Sequence, residues 1–453
     1  MNKAVKKIIL CMYVAVLCLP PMLVAQEKKK EVGRFPDLDL LLAPQKQGKD
    51  KQMLVIRGKW VWDGTGKPAI SGGVVLIQGD RIVAAGAEGK VTIPSDAVWI
   101  DKRDLFLMPG LVDAHEHYAM DQWAGVSQGE LMARSAGHLA LRAARNGRTA
   151  LRNGVTTARI ATEIVKYDKD YVALDYARAF NEDLLPGPRC VAGGHKLHPP
   201  SQEIFYPADT GSQSGVDDLR RVVREDIRAG ADFCKMFLSG NLVPGADDNS
   251  VVDAVYFTKE EIDAVIEECH RYGKKVSGHV LKGGPSAQAA ITDGIDAFEH
   301  PILFTRAEWQ QLKDHNIFAV LTESQLFVPG AKAAGWRGHI DNPPNAEAIL
   351  RNEYLLALSS GAKLAVGAGG YQQPWAMAHE IAVLVYYGMT NQDALLVATR
   401  NGGELTGLPV GTLEPGKYAD VIGIRGNPLE DIGSLKQVGF VMKGGKVYDL
   451  SEQ

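Results

Sequence analysis

Between about Pro109 and Thr399 the chain repeats one unit: a short apolar run, then an amphipathic stretch with helical period. Eight such runs can be read: FLMPGLVDAH, VTTARIA, RCVAGG, DFCKMF, KVSGHV, DAFEH, FAVLTES and KLAVGAG. Short, nearly continuous apolar runs suit strands buried on both faces, as in a parallel sheet. The stretch between two of them, TKEEIDAVIEECHRYG, opens on Thr258 with Glu261 three residues later, a capping-box start to a helix. Eight strand–helix units in roughly 290 residues have the count and length of a (β/α)8 TIM barrel, in which the chemistry stands at the C-terminal ends of the strands.

The flanks read differently. MLVIRGKWVWDGTGKPAISGGVVLIQGDRIVAAG alternates strand-like runs with Gly and Asp turns, and GTLEPGKYADVIGIRGNPLEDI with VGFVMKGGKVYDL repeats that character near the other end. These segments, 51–108 and 401–453, are expected to pair into a small composite β-sandwich around a barrel spanning 109–400. Residues 26–50 are polar and Lys-rich and read as a linker. Before them, Lys3, Lys6 and Lys7 precede an apolar run from Ile8 to about Val24, broken by Pro20 and Pro21 and ending at Ala25. That is the pattern of a signal peptide over 1–25, cut after Ala25, so the mature protein is expected to be exported, periplasmic or secreted, and free of the membrane. A net charge of −4 with no later Lys/Arg block argues against nucleic acid as a partner. The spacing of Cys190, Cys234 and Cys269 shows neither a zinc-knuckle pattern nor a disulfide framework.

The strand ends carry the chemistry. His115 and His117 are two apart in DAHEHYA, so on a strand they share one face while Glu116 points the other way. His279 ends KVSGHV, His300 ends DAFEH, and Lys235 lies inside DFCKMF. Neutral imidazoles at such positions can grip a divalent metal. A lysine inside an apolar strand is costly as a bare ammonium, but it becomes intelligible as a carbamate, an anion able to bridge two cations. One or two divalent ions, zinc by default for His-rich sites, are therefore expected on His115, His117, Lys235, His279 and His300. His195, after the third strand in AGGHKLHPP, is the candidate substrate-binding residue. His138, His270 and His315 fall on helical stretches and read as solvated.

Taken together, these residues resemble the amidohydrolase superfamily. MPGLVDAHEH is similar to its first-strand Pro-Gly-Leu-(Ile/Val)-Asp-x-His-x-His, RNGVTTAR to its second-strand Gly-Val-Thr-Thr, and GLPVGTLEPGKYADVIGIRGNPLEDI to its closing hairpin. The likeness is greatest to the imidazolonepropionase-like and prolidase-like branch. The resemblance implies His115 and His117 on one metal, Lys235 as a bridging carbamate, and His279 with His300 on the second. It also implies an Asp at the end of the eighth strand, as ligand and general acid/base. Aligned through HEIAVLVYYGMT, that position is Gly369 in LAVGAGGYQQ. No catalytic residue is assigned in its place; Glu380, His379 and Glu323 are the nearby candidates. The expected activity is metal-assisted hydrolysis of a C–N bond in a small amide, dipeptide or cyclic amide. The alternatives are a silenced ligand-binding barrel or an esterase- or lactonase-like hydrolase. Substrate identity and homo-oligomeric state are not legible.

Overall fold

A computed structural model describes residues 52–120, 134–163, 171–199, 212–239, 243–244, 251–252, 255–301, 303–322, 346–370 and 375–449. The expected signal peptide, linker and Glu323 lie outside these. Chain order opens with β1 (Met53–Val61), β2 (Ile70–Ser71), β3 (Gly73–Gln78), β4 (Arg81–Ala87) and β5 (Val98–Pro109). The barrel follows: β6 (Leu111–Glu116), α1 (Ala136–Arg152), β7 (Val155–Ile160), α2 (Val172–Asn181), β8 (Arg189–Leu197), α3 (Val216–Ala229) and β9 (Phe233–Phe237). After a two-stranded insertion, β10 (Val243–Pro244) and β11 (Val251–Val252), come α4 (Lys259–Arg271), β12 (Lys275–His279), α5 (Pro285–Asp293), β13 (Ala297–Glu299), α6 (Arg306–Asp314), β14 (Phe318–Leu321), α7 (Ala346–Ser360) and β15 (Lys363–Val366). The chain ends through α8 (Ala376–Tyr386), α9 (Asn391–Leu396), α10 (Gly402–Thr406), β16 (Val421–Ile424), β17 (Val438–Lys443) and β18 (Lys446–Val447).

All eight apolar runs contain strands, and these form one parallel sheet in the order β6-β7-β8-β9-β12-β13-β14-β15. The sheet closes where the chain leaving β15 meets β6. There the Gly369 N–H donates to the His115 carbonyl at 2.8 Å, the Ala368 N–H to Asp113 Oδ1 at 3.1 Å, and the Gly370 N–H to Glu116 Oε1 at 2.9 Å. Gly367 permits that approach: a Cβ on it would stand 2.4 Å from the His115 nitrogen. The capping box read at Thr258 is present at the start of α4, and α6 begins with a second one at Thr305 and Glu308.

The composite β domain is an eight-stranded sheet in the order β18-β17-β16-β5-β1-β3-β4, with β2 on β1. Its centre joins the two ends of the chain, since β5 runs parallel to β1 and antiparallel to β16. Ile56, Val75, Ile77, Leu107, Val421 and Met442 form its apolar core. Lys443 ties this sheet to the barrel, its buried ammonium donating to the carbonyls of Phe180, in the last turn of α2, at 3.2 Å and of Gly187, beyond that helix, at 2.7 Å.

One sequence expectation is corrected. Cys234 and Cys269 form a disulfide, clamping β9 to α4, while Cys190 is a buried free thiol. Spacing gave no sign of it because the pairing arises from a strand packing on the helix that follows it. No helix among the described residues is long and apolar enough to cross a membrane.

Candidate functional site

The barrel mouth gathers four imidazoles. The ring centres of His115 and His117 lie 4.9 Å apart, those of His115 and His300 4.6 Å, and those of His279 and His300 4.8 Å. β6, β12 and β13 deliver them. His115 and His117 share a face by strand alternation, as expected. His300 leaves β13 with a left-handed φ of 60°, which swings its ring into the same cluster. His279 stacks on Phe237 of β9, centroid to centroid 4.3 Å.

The acceptors behind the rings fix where their protons sit. His117 Nδ1 bonds the Thr162 carbonyl, which can only accept, so Nδ1 carries the hydrogen. His115 Nδ1 lies 2.5 Å from Glu299 Oε2. Lys235, while it is still an uncarboxylated ammonium, and Arg159 hold the Glu299 carboxyl well below its usual range although it is fully buried, so His115 donates to a carboxylate. The Nε2 atoms of His115 and His117 are then two lone pairs facing each other across 3.1 Å. Burial brings the His115 pKa down to about 4, against the pull of Glu299, and drives those of His117 and His300 well below the usual value. Two facing lone pairs on neutral imidazoles repel unless a cation lies between them. This is the arrangement a divalent ion requires, with the second nitrogen of each ring anchored.

Lys235 sits within the same interior layer. It is 1% exposed, its Nζ makes no hydrogen bond, and Glu299 Oε1 is 3.9 Å away. Burial lowers its pKa to about 7. Among the described residues no three His, Cys, Asp or Glu side chains converge on one point. A carboxylated Lys235 would add an anionic oxygen donor to the imidazole pairs. The donor chemistry fits a metal on that condition.

Three residues of this layer were not singled out from the sequence. Glu299, Arg159 and Ser277 form a buried knot in which Glu299 Oε1 accepts from Arg159 at 2.5 Å and from the Ser277 hydroxyl. Arg159 also lies over the Phe233 ring at 3.9 Å. A signal existed, for Arg159 interrupts the apolar run VTTARIA just as Lys235 interrupts DFCKMF.

The remaining expectations divide. His195 is held by Asp226 of α3, through both its backbone N–H at 2.9 Å and its ring, and it meets Tyr171 at 4.5 Å. His379 packs on Trp375 with Lys436 beside it, and Glu380 is buried. His138, His270 and His315 are exposed, as expected. Gly369 has a φ of 66°, a conformation that favours glycine.

Residues 106–448 match the amidohydrolase family. The chain belongs to that family. This amidohydrolase is 29% identical over 428 residues to an ochratoxinase of Aspergillus niger, a match covering 85% of this chain and 84% of that protein. The crystal structure of A. niger ochratoxinase superposes with a TM-score of 0.74 at 26% identity, over 88% of this chain and 96% of the other. A Xaa-Pro dipeptidase with methionine bound in its active site shares the fold, with a TM-score of 0.75 at 24% identity, over 88% of this chain and all of that one. Family membership, with such relatives, supports hydrolysis of carbon–nitrogen bonds.

Proposed function

We propose that this amidohydrolase is metal-dependent and hydrolyses an amide bond in a small substrate at the mouth formed by His115, His117, Lys235, His279 and His300. The observation that carries this reading is the facing pair of Nε2 lone pairs on His115 and His117, 3.1 Å apart with their outer nitrogens anchored. His115 and His117 would hold one ion, His279 and His300 a second, and Lys235 would join them as a carbamate. The lowered Lys235 pKa supports that role, because a neutral amine is the form that reacts with CO2. The Nζ–C bond forms, one N–H proton passes to solvent, and a carbamate anion remains. A bound divalent cation, zinc by ligand type, supplies Lewis acidity and brings the pKa of a bound water towards about 7.

The protein's own residues then position and balance charge. Glu299 and the Thr162 carbonyl hold the His115 and His117 rings in the tautomer that presents Nε2. Arg159 and Ser277 hold Glu299. The Gly369 N–H, bound to the His115 carbonyl, locks the strand carrying both histidines. Gly369 itself brings no carboxylate to the eighth strand end, so this position cannot protonate a leaving nitrogen. That favours, as a second reading, esters and lactones, whose leaving oxygen needs less protonation. Similarity to an ochratoxinase supports a small-molecule substrate. The Cys234–Cys269 disulfide supports an exported protein, since disulfides persist in oxidising compartments.

The test is elemental analysis of the purified protein together with turnover of matched amides and esters. One to two divalent ions per chain with amide turnover is the expected result. Protein that purifies metal-free and takes up no zinc overturns the metal reading, and ester turnover without amide turnover selects the second.

A further inference from the structure

The bond between Cys234 and Cys269 is set directly behind the metal-type residues. On β9 successive side chains face opposite ways. Phe233, Lys235 and Phe237 turn inward, to Arg159, Glu299 and His279 respectively. Cys234, between the first two, turns out to Cys269 of α4, with the two Cα atoms 6.6 Å apart. One end of the bridge is thus attached to the residue preceding Lys235. Its other end stands where α4 gives way to β12. The Cys269 carbonyl accepts from the N–H groups of Tyr272 at 3.1 Å and Lys274 at 3.0 Å, and the next residue, Lys275, opens the strand that ends in His279.

The sheet is interrupted at the same point. β9 pairs with β12 in unbroken register, Lys235 opposite Ser277 and Phe237 opposite His279. Towards β8 the register shifts. Phe233 lies opposite Gly193 and Lys235 opposite Lys196, so Gly194 and His195 stand opposite Cys234 alone. Such an irregularity disrupts the ladder locally. The disulfide holds β9 where that pairing lapses. His115 and His117, by contrast, are tied in by the pairing of β6 with β7 and by the chain leaving β15.

We propose that Cys234 and Cys269 are positioning residues for the metal centre: oxidised, they hold Lys235 and His279 in the relation that lets the two share an ion. This rests on the metal-dependent reading of the barrel mouth. Forming the bond takes two electrons and two protons from the two thiols, and a disulfide-bearing oxidant accepts them and becomes two thiols. Both half-cystines are buried, so the bond is shielded from small reductants once the chain is folded. It acts once, during maturation. A chain folded under reducing conditions keeps every ligand-type residue but assembles the lysine-bridged centre poorly.

The test compares the full-length parent with Cys234→Ala/Cys269→Ala, and with Ile77→Ala in the core of the composite sheet, a control that loses stability without touching β9. Zinc competition against a chelator measures metal retention. The NMR signal of a lysine carbamate, raised with isotope-labelled bicarbonate, reports on Lys235 itself. The double variant is expected to hold zinc at least about tenfold less tightly, the range for losing a group that orients a ligand, and to show a weaker carbamate signal. Ile77→Ala should keep both. Parent protein that is unfolded, reduced and refolded with a thiol present should behave as the double variant, and refolding with oxidised glutathione instead should restore both readouts, so the test decides even if the variant does not fold. The proposal is overturned if the folded double variant matches the parent, if Ile77→Ala loses as much, or if oxidative and reductive refolding give the same zinc retention. A parent that takes up no zinc in any state overturns the metal reading itself, and this proposal with it.

Discussion

Glu299 Oε2 lies 2.5 Å from His115 Nδ1, while the other oxygen of the same carboxylate takes Arg159 at 2.5 Å. One buried acid thus orients a metal-type histidine and neutralises an interior arginine. Residues behind a ligating histidine govern both its tautomer and its basicity. Glu299→Gln is expected to weaken metal retention about 10- to 100-fold, the usual cost of losing such a partner. Zinc competition against a chelator measures it. Wild-type retention in the variant would remove Glu299 from the positioning role.

Lys235→Ala should lose bound metal and hydrolysis together, because it removes the lysine proposed to bridge the ions as a carbamate. Small carboxylic acids such as propionate, added to the variant, should return part of both. The assay is metal stoichiometry with and without the acid. Unchanged stoichiometry in the variant would exclude a bridge at this position.

Gly369→Asp tests the eighth strand end. Its φ of 66° puts any side chain in a left-handed backbone, at a cost of about 1–2 kcal/mol, and Asp tolerates that region better than most residues. The variant should therefore melt lower. If the barrel hydrolyses amides without that carboxylate, restoring it should raise amide turnover by about tenfold, a small share of what general acid–base help supplies, and ester turnover by less. A folded, metal-loaded variant no better on amides would show that proton delivery has been rebuilt elsewhere.

The disulfide between Cys234 and Cys269 closes a loop with a sequence separation of 35. Replacing both cysteines by alanine should cost about 2–4 kcal/mol by chain-entropy reasoning. Urea unfolding of the variant beside the parent, with and without reductant, measures it. Reductant should destabilise the parent and leave the variant unmoved.

Glu163 predicts a pH dependence of stability. It is fully buried with its Oε1 accepting from the Ala119 N–H at 2.9 Å and from the Tyr176 hydroxyl at 2.5 Å, and burial raises its pKa to about 8. An acid raised in the folded state contributes stability that is fully present below its unfolded value, near 4.3, and is lost as pH rises through about 8. Glu163→Gln mimics the protonated acid and should flatten the decline in melting temperature between pH 5 and 8. An identical slope in parent and variant would assign the decline to other groups.

Most of the barrel was legible because burial on both faces forces apolar runs, and all eight became strands. The histidine cluster was legible because strand alternation puts 115 and 117 together. Alternation also hid Glu299. Adjacent residues on a regular strand face opposite ways, so Glu299 and His300 could not both be read into one site. The left-handed turn at His300 brings both in. The same limit applies on β8, whose register with β9 shifts between Gly193 and Lys196, and where His195 is held by Asp226 of α3. Glu116 does lie off the imidazole face, yet its carboxylate caps the Gly370 N–H at the barrel seam, a contact between residues 254 apart that no local pattern carries.

The composite sheet sets an order on how this protein can be made. β5, which leads into the first barrel strand, is paired on one side by β1 and on the other only by β16, whose Val421 lies opposite Pro109. A nascent chain has every barrel strand in hand while the backbone of Phe106–Pro109 still waits for a partner more than 300 residues downstream. Until synthesis is nearly finished, that segment is an open edge able to recruit strands from other molecules, and a message truncated before Val421 would yield a chain with the whole barrel sequence and a permanent site for aggregation.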